Sequence, residues 1–273
     1  MIIDRRKFLK ISSLSLINFI VHNTNVWAEK DRYIKFHDVT KCIGCKRCMS
    51  ACKRWNKLKL DRNEDLTDRE TDLTGNTWVV VNLIRDQRNV ENLFYIHWAC
   101  QHCEKPACMG ACPVSAIKQY LTGAVVIDEN KCIGCRYCYQ SCPYKIPRFD
   151  FEKRVSRKCT LCYDRIPRLK PACVEACPVS ALDFGLRNEI LSKVKPLLEK
   201  KDYYLLGEIE AGGTNFLTLL PSPPQNFGLV VAPPKTVNES FDKLRISSYG
   251  ILTGLSFFIV FYLYSKVFKH DQN

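Results

Sequence analysis

The sequence predicts an α+β chain in which short hairpins and single helical turns are strung between cysteine-rich loops, followed by one membrane-crossing helix. Three observations predict it. All sixteen cysteines of the 273 residues fall into four runs of four. The intervals between runs hold pairs of short apolar stretches about turn residues, the pattern of hairpins and not of long helices. Near the C-terminus, twenty consecutive residues carry no charge.

Cys132, Cys135 and Cys138 stand three apart, and Cys142 follows four residues later, directly before Pro143. Three thiolates at that spacing wrap a short loop about one 4Fe–4S cubane, and in two-cluster ferredoxins the fourth Cys ligates the other cluster. Gly134 is expected to let the backbone approach inorganic sulfide, and Pro143 to turn the chain off the loop. The spacing recurs at Cys42, Cys45, Cys48 and Cys52, and KCIGC occurs at both 41–45 and 131–135. A second type of run is Cys100, Cys103, Cys108, Cys112-Pro113 and again Cys159, Cys162, Cys173, Cys177-Pro178, with CPVSA at 112–116 and 177–181. No cysteine is left over. Four 4Fe–4S clusters are expected.

Other uses of cysteine fit less well. Zinc sites also employ C-x2-C pairs, but they do not call for a third Cys at i+6 or a Cys-Pro ending. Disulfide scaffolds belong to small secreted chains that lack a core of their own. Rieske ligation needs two His in place of two Cys. His97 and His102 flank a run that already has four Cys, so they are expected to pack or to hydrogen-bond.

Hydrophobic residues make up 46% and charged residues 25% of the chain, ordinary values, while the formal net charge is +13. That charge does not point to nucleic acid. Four oxidised cubanes with their thiolates supply roughly −8, and residues 1–28 carry four basic residues against one acidic. Most of the basic excess is therefore countercharge for cofactors. No block of like charges resembles a nucleic-acid arm.

Residues 1–28 read as an export signal: Arg5-Arg6-Lys7, an apolar stretch over 11–21, then Val26-Trp27-Ala28 as a cleavage site. They resemble a twin-arginine signal, with Asp4 where Ser or Thr is usual. That route carries folded proteins, as cubanes built in the cytoplasm require. Residues 29–220 form the cluster domain. A hairpin is expected from 77–84 and 93–98 about Asp86-Gln87-Arg88-Asn89, a second from 117–120 and 124–127 about Gly123, and a weaker third from 148–151 and 154–157. Further on come a strand at 182–185, a helix over 188–200 kinked or shortened by Pro196, and a strand at 214–220. Residues 221–245 are a Pro-rich linker with little packing of its own. Residues 246–265, without charge and with tyrosines towards the ends, are long enough to span a bilayer. The tail, 266–273, is then cytoplasmic if the cluster domain is exported.

With these residues in place, 41 to about 221 resembles the four-cluster iron–sulfur subunits of membrane-bound formate dehydrogenases and hydrogenase-2-type complexes. Similar subunits serve dimethyl sulfoxide, polysulfide and related molybdopterin reductases. Residues 157–162, RKCTLC, and 211–214, AGGT, fit the broader group. The single C-terminal membrane helix is similar to the formate dehydrogenase and hydrogenase-2 branches, and a signal on this subunit itself to hydrogenase-2. The resemblance implies two intertwined bacterial-ferredoxin-like modules with nested pairing of the runs. Cys42, Cys45 and Cys48 would share a cluster with Cys177, and Cys159, Cys162 and Cys173 with Cys52. Cys132, Cys135 and Cys138 would join Cys112, while Cys100, Cys103 and Cys108 would join Cys142. Spacing alone also allows consecutive pairing.

The expected function is electron relay between an exported catalytic subunit and an integral-membrane quinone-reactive or cytochrome b subunit. Lys41, Lys46, Arg47, Lys53, Arg136 and Lys158 are candidate charges for tuning cluster potentials. A free-standing enzyme is disfavoured, because there is no glycine-rich dinucleotide loop and no cysteine is spare for an open catalytic metal. A structural metal-binding protein is the rival from another class. A molybdopterin reductase subunit is the alternative within the relay class.

Overall fold

Residues 32–59, 72–200, 202–229 and 231 are described by the computed structural model. The expected signal at 1–28, membrane segment at 246–265 and tail at 266–273 lie outside them, as does most of the linker. Among the described residues no helix is long and apolar enough to cross a membrane.

The chain enters on β1 (Tyr33–Asp38), whose alternation sends Ile34 and Phe36 to one face and Lys35 and His37 to the other. Strand β1 lies inside a four-stranded sheet with β8 (Leu182–Leu186), β9 (Tyr204–Leu206) and β10 (Phe216–Leu220), in the order β8-β1-β10-β9. It pairs parallel with β10, Lys35 opposite Phe216, and antiparallel with β8. Ile34 and Phe36 pack with Leu217 and Leu219 against Ile190 and Val194 of α5 (Arg187–Lys200). The opposite face turns towards the cysteine runs.

Those runs form loops and short helices: α1 (Arg47–Asn56), α2 (Ala107–Gly110), α3 (Tyr137–Ser141) and α4 (Ala172–Glu175). Three hairpins separate them, β2–β3 (Val79–Asp86, Asn89–Ala99), β4–β5 (Ile117–Gln119, Val125–Ile127) and β6–β7 (Arg148–Asp150, Val155–Arg157), all antiparallel. All three follow the expected stretches within a few residues. The main core joins the inner faces of β2, β3 and β10 to Cys48, Cys52, Cys100, Cys142, Cys159 and Cys173, so thiols stand where a larger protein would put more apolar side chains.

The internal repeat is legible in the backbone. Gly44 and Gly134 have φ of +69° and +70°, Lys46 and Arg136 of +57° and +63°, and Ser115 and Ser180 of +50° and +51°. Each KCIGC loop therefore turns through the same left-handed residues before its helix, and each CPVSA segment turns through its Ser.

Two expectations need revision, and a third gains a further reason. Helix α5 runs over Pro196 without shortening. Pro196 and Ser192 are both exposed, so water can satisfy the Ser192 carbonyl that a proline cannot reach. Gly134 is required by neighbouring protein as well as by its left-handed backbone: a Cβ there would meet the Arg154 carbonyl oxygen at 2.5 Å and the Phe149 ring at 2.9 Å. Finally, the first part of the expected linker is packed. Pro224–Phe227 forms a 3-10 turn, and Phe227 is buried edge-on to Phe94 at 6.0 Å and joins Ile84, Ile96 and Leu220.

Candidate metal centre

Three groups of four thiols each line a cavity of about 300 Å³, mouth included. Cys42, Cys45, Cys48 and Cys177 line the first, with empty volume of about 330 Å³. Cys52, Cys159, Cys162 and Cys173 line the second, and Cys112, Cys132, Cys135 and Cys138 the third. The remaining four lie close enough to act on one another: burial pushes the Cys103 thiol well up, and Cys100, Cys108 and Cys142 add to the effect. Each group mixes cysteines of two runs, one of each type. Among the described residues no group of three or more His, Cys, Asp or Glu is arranged to hold a single metal ion.

The local backbone is arranged for sulfur. The N–H of Ala116 donates to Cys112 Sγ at 3.3 Å, Ser156 to Cys132 at 3.3 Å, Leu161 to Cys159 at 3.4 Å and Ile146 to Cys142 at 3.5 Å. Asn56 Nδ2 approaches Cys52 Sγ at 3.6 Å. Donors aimed at sulfur favour the thiolate, the form that binds iron. Burial works the other way. It pushes Cys48 far up, with Cys173, Cys42 and Cys45 adding and Lys35 opposing. Cys162 is raised to about 12 by burial and then by Cys159 and Cys173. Cys108 is raised to about 12 by burial, with Lys158 opposing and Cys100, Cys142 and Cys138 adding. Thiols this high are protonated at neutral pH, so metal binding releases protons and the metal's own charge must reverse the balance.

The same influences link one thiol group to the next. Cys173 of the second group acts on Cys48 of the first, and Cys138 of the third acts on Cys108 of the fourth. Lys158 connects the second and fourth. Burial alone would lower its amine, but Cys100, Cys108 and Cys159 outweigh that and raise it. Its Nζ donates to the carbonyls of Val125 and Cys159.

Of the six charges singled out in the sequence, Lys53 and Lys158 are buried. Lys53 donates to the carbonyls of Lys59 and Asn76, and the exposed Lys41 pairs with the buried Asp38. Arg136 lies over the Phe149 ring, 4.1 Å from its centroid. Lys46, Arg47 and Arg54 line an open groove beside Cys45 and Cys177. His97 and His102 are buried and hydrogen-bonded, as expected: His102 Nδ1 accepts from the Val125 N–H at 2.9 Å.

Sequence reasoning missed Lys35. It is fully buried, sits 3.7 Å over the Phe216 ring and lines the cavity of the second thiol group. Its Nζ is 3.1 Å from His97 Nε2. An ammonium only donates, so Nε2 accepts and the proton of neutral His97 is on Nδ1, 3.4 Å from Cys48 Sγ. The available signal was the strand alternation that puts Lys35 opposite the apolar face.

These thiol groups, with N–H donors aimed at sulfur and cationic charge between them, are a donor set suited to 4Fe–4S clusters. A family model for a 4Fe–4S dicluster domain matches residues 91–187. The B subunit of the anaerobic dimethyl sulfoxide reductase of Escherichia coli is 41% identical over 165 residues, which are 59% of this chain and 77% of that subunit. The chain therefore belongs to the iron–sulfur subunits of molybdoenzyme-type oxidoreductases. The nitrate-inducible formate dehydrogenase iron–sulfur subunit of Escherichia coli is 37% identical over 191 residues, 68% of this chain. A formate dehydrogenase iron–sulfur subunit of Haemophilus influenzae is 40% identical over 166 residues, 57% of this chain and 52% of its own length. The match spans 65% of the Escherichia coli formate dehydrogenase subunit.

Proposed function

We propose that the chain is a non-catalytic relay, carrying electrons through four 4Fe–4S clusters between a catalytic subunit and a membrane subunit that exchanges electrons with quinone, directly or through haem b. The observation that carries this is the succession of thiol groups, each in electrostatic reach of the next, in the order first, second, fourth, third. The ligand sets are Cys42, Cys45, Cys48 and Cys177; Cys52, Cys159, Cys162 and Cys173; Cys112, Cys132, Cys135 and Cys138; and Cys100, Cys103, Cys108 and Cys142. Bound clusters supply one-electron redox chemistry, and the chain holds them, excludes water and sets their potentials.

The proposal extends to location. A twin-arginine signal at 1–28 carries the loaded domain across the inner membrane, and the helix at 246–265 anchors it with the C-terminus in the cytoplasm. The support is the sequence pattern of those segments. A partner of formate dehydrogenase or hydrogenase-2 type fits the anchored, exported arrangement. The similarity to the dimethyl sulfoxide reductase B subunit favours a second reading, the same relay in a molybdopterin reductase.

Iron and sulfide analysis with visible absorbance tests the core of this. About sixteen of each per chain and a brown colour bleached by dithionite are expected. A colourless, zinc-loaded protein would overturn it. Ligation is tested by redox-poised electron paramagnetic resonance (EPR): Cys52→Ser and Cys173→Ser should alter one signal in common, and Cys42→Ser and Cys177→Ser another. A shared signature for Cys52→Ser and Cys42→Ser, with Cys173→Ser distinct, would refute the proposed sets.

A further inference from the structure

One side chain lining the cavity of the first thiol group has no polar partner among the described residues. His37, on β1, is wholly buried and lines that cavity with Cys42, Cys45, Cys48 and Cys177. Neither of its ring nitrogens has a hydrogen-bond partner among the described residues. The residue is nonetheless held in place. Its backbone is fixed on both sides by register with Thr218 and Leu182, and its ring packs 5.9 Å from that of His97, tilted by 52°. Burial, and then the charge of Lys35, lower its pKa to about 3 against the pull of Asp38. Whatever its charge, an imidazole carries at least one N–H.

A buried N–H left without an acceptor costs about 1–3 kcal/mol, so folded proteins rarely leave one. The neighbouring histidine does not share the condition, because His97 is engaged at both nitrogens, by Lys35 and by Cys48 Sγ. The acceptor chemistry that His37 faces is sulfur: the four thiolates and the inorganic sulfide of the group they would hold. We propose that His37 donates its ring N–H to a sulfur of the centre held by Cys42, Cys45, Cys48 and Cys177, and so raises that centre's reduction potential. Reduction puts more negative charge on sulfur, and a fixed donor stabilises the more anionic state more strongly. The inference rests on the cluster reading above and adds to it a residue that sets a potential without being a ligand.

The test compares His37→Leu, which removes the donor, with His37→Gln, which keeps one, by redox-poised EPR of the full chain. In His37→Leu one midpoint should fall by an amount equal to a roughly tenfold weaker reduction equilibrium, about 59 mV for one electron. The other three should stay, and Cys42→Ser should perturb the same signal. His37→Gln should recover a substantial part of the fall. An unmoved midpoint in fully loaded His37→Leu, or a glutamine variant as low as the leucine one, would overturn the proposal. If His37→Leu does not load the centre, pulsed EPR on protein labelled with 15N-histidine decides. A nitrogen coupling present in wild type and absent from His37→Gln supports the donor, and identical spectra overturn it. A wild-type protein with no iron–sulfur signal would instead overturn the cluster reading, before any variant is compared.

Discussion

Replacing Lys35 by methionine removes one positive charge from the protein's interior with little change of volume. Lys35 Nζ is 3.1 Å from His97 Nε2, and His97 Nδ1 is 3.4 Å from Cys48 Sγ. Across one imidazole the ammonium is thus within roughly 9 Å of that sulfur, where a unit charge is worth about 1.8 kcal/mol at an effective permittivity of about 20. For a one-electron couple that is about 80 mV. Lys35 also lines the cavity of the second thiol group and opposes the rise of both Cys52 and Cys173. Lys35→Met should therefore lower two midpoints, those of the first and second centres, by on the order of 80 mV each, and shift the third and fourth much less. Potentiometric EPR on loaded protein measures it, with the affected signals assigned by Cys42→Ser and Cys52→Ser. Unmoved first and second midpoints in a fully loaded variant would refute the electrostatic argument. A uniform shift of all four would show that the charge is not local to those two.

Asp150→Asn breaks a buried ion pair, 3.0 Å from Asp150 Oδ2 to Arg157 Nη1, and should cost about 3 kcal/mol, seen as cluster loss at lower temperature. Burial alone would raise Asp150, but the N–H groups of Lys153 and Glu152 and then Arg157 outweigh it and hold the carboxyl below its ordinary 3.8. Its contribution is therefore full above that value and fades as pH falls through the lower folded value, so the gap between wild type and variant should close only in acid. Gly134→Ala forces a Cβ to 2.5 Å from the Arg154 carbonyl oxygen at a φ of +70°, and should lower loading of the third thiol group first, measured by its EPR signal. A chain ended before Ile246 should stay loaded but leave washed membranes on cell breakage, and its retention there without partners would sink the proposed anchor. Arg5→Lys together with Arg6→Lys should leave loaded precursor in the cytoplasm, read by fractionation and blotting, because a receptor reads the arginine pair and not bulk charge.

The three hairpins were legible because each is local: its strands alternate about turn residues a few positions apart. The thiols were legible because a cubane imposes its own spacing on a loop. Strand β1 was not. Its partners β8 and β10 are far away in sequence, and its inner face carries Lys35 and His37, residue types that ordinarily mark a solvent face. Here that face meets thiols instead of water. Strand β9 is three residues long and is held by its neighbour β10, so no local pattern could announce it. The packing of Phe227 was hidden by the prolines before it, which suggest an extended linker but do not prevent one aromatic ring from docking on β3.

The placement of the thiols also sets a timetable for the growing chain. The third group spans 112–138 and the fourth 100–142, so both are complete once Cys142 has been made. The second spans 52–173 and the first 42–177, so the second is whole only once Cys173 has been made and the first only once Cys177 opens the second CPVSA segment. Closing the longer loops costs only about 1 kcal/mol more, so it is the order of synthesis, and not chain entropy, that separates the two stages. The middle of the protein can mature while its first cysteines still wait for partners on the ribosome. A message broken off between Cys142 and Cys173 would yield a half-furnished product, with two complete thiol groups and two opened ones.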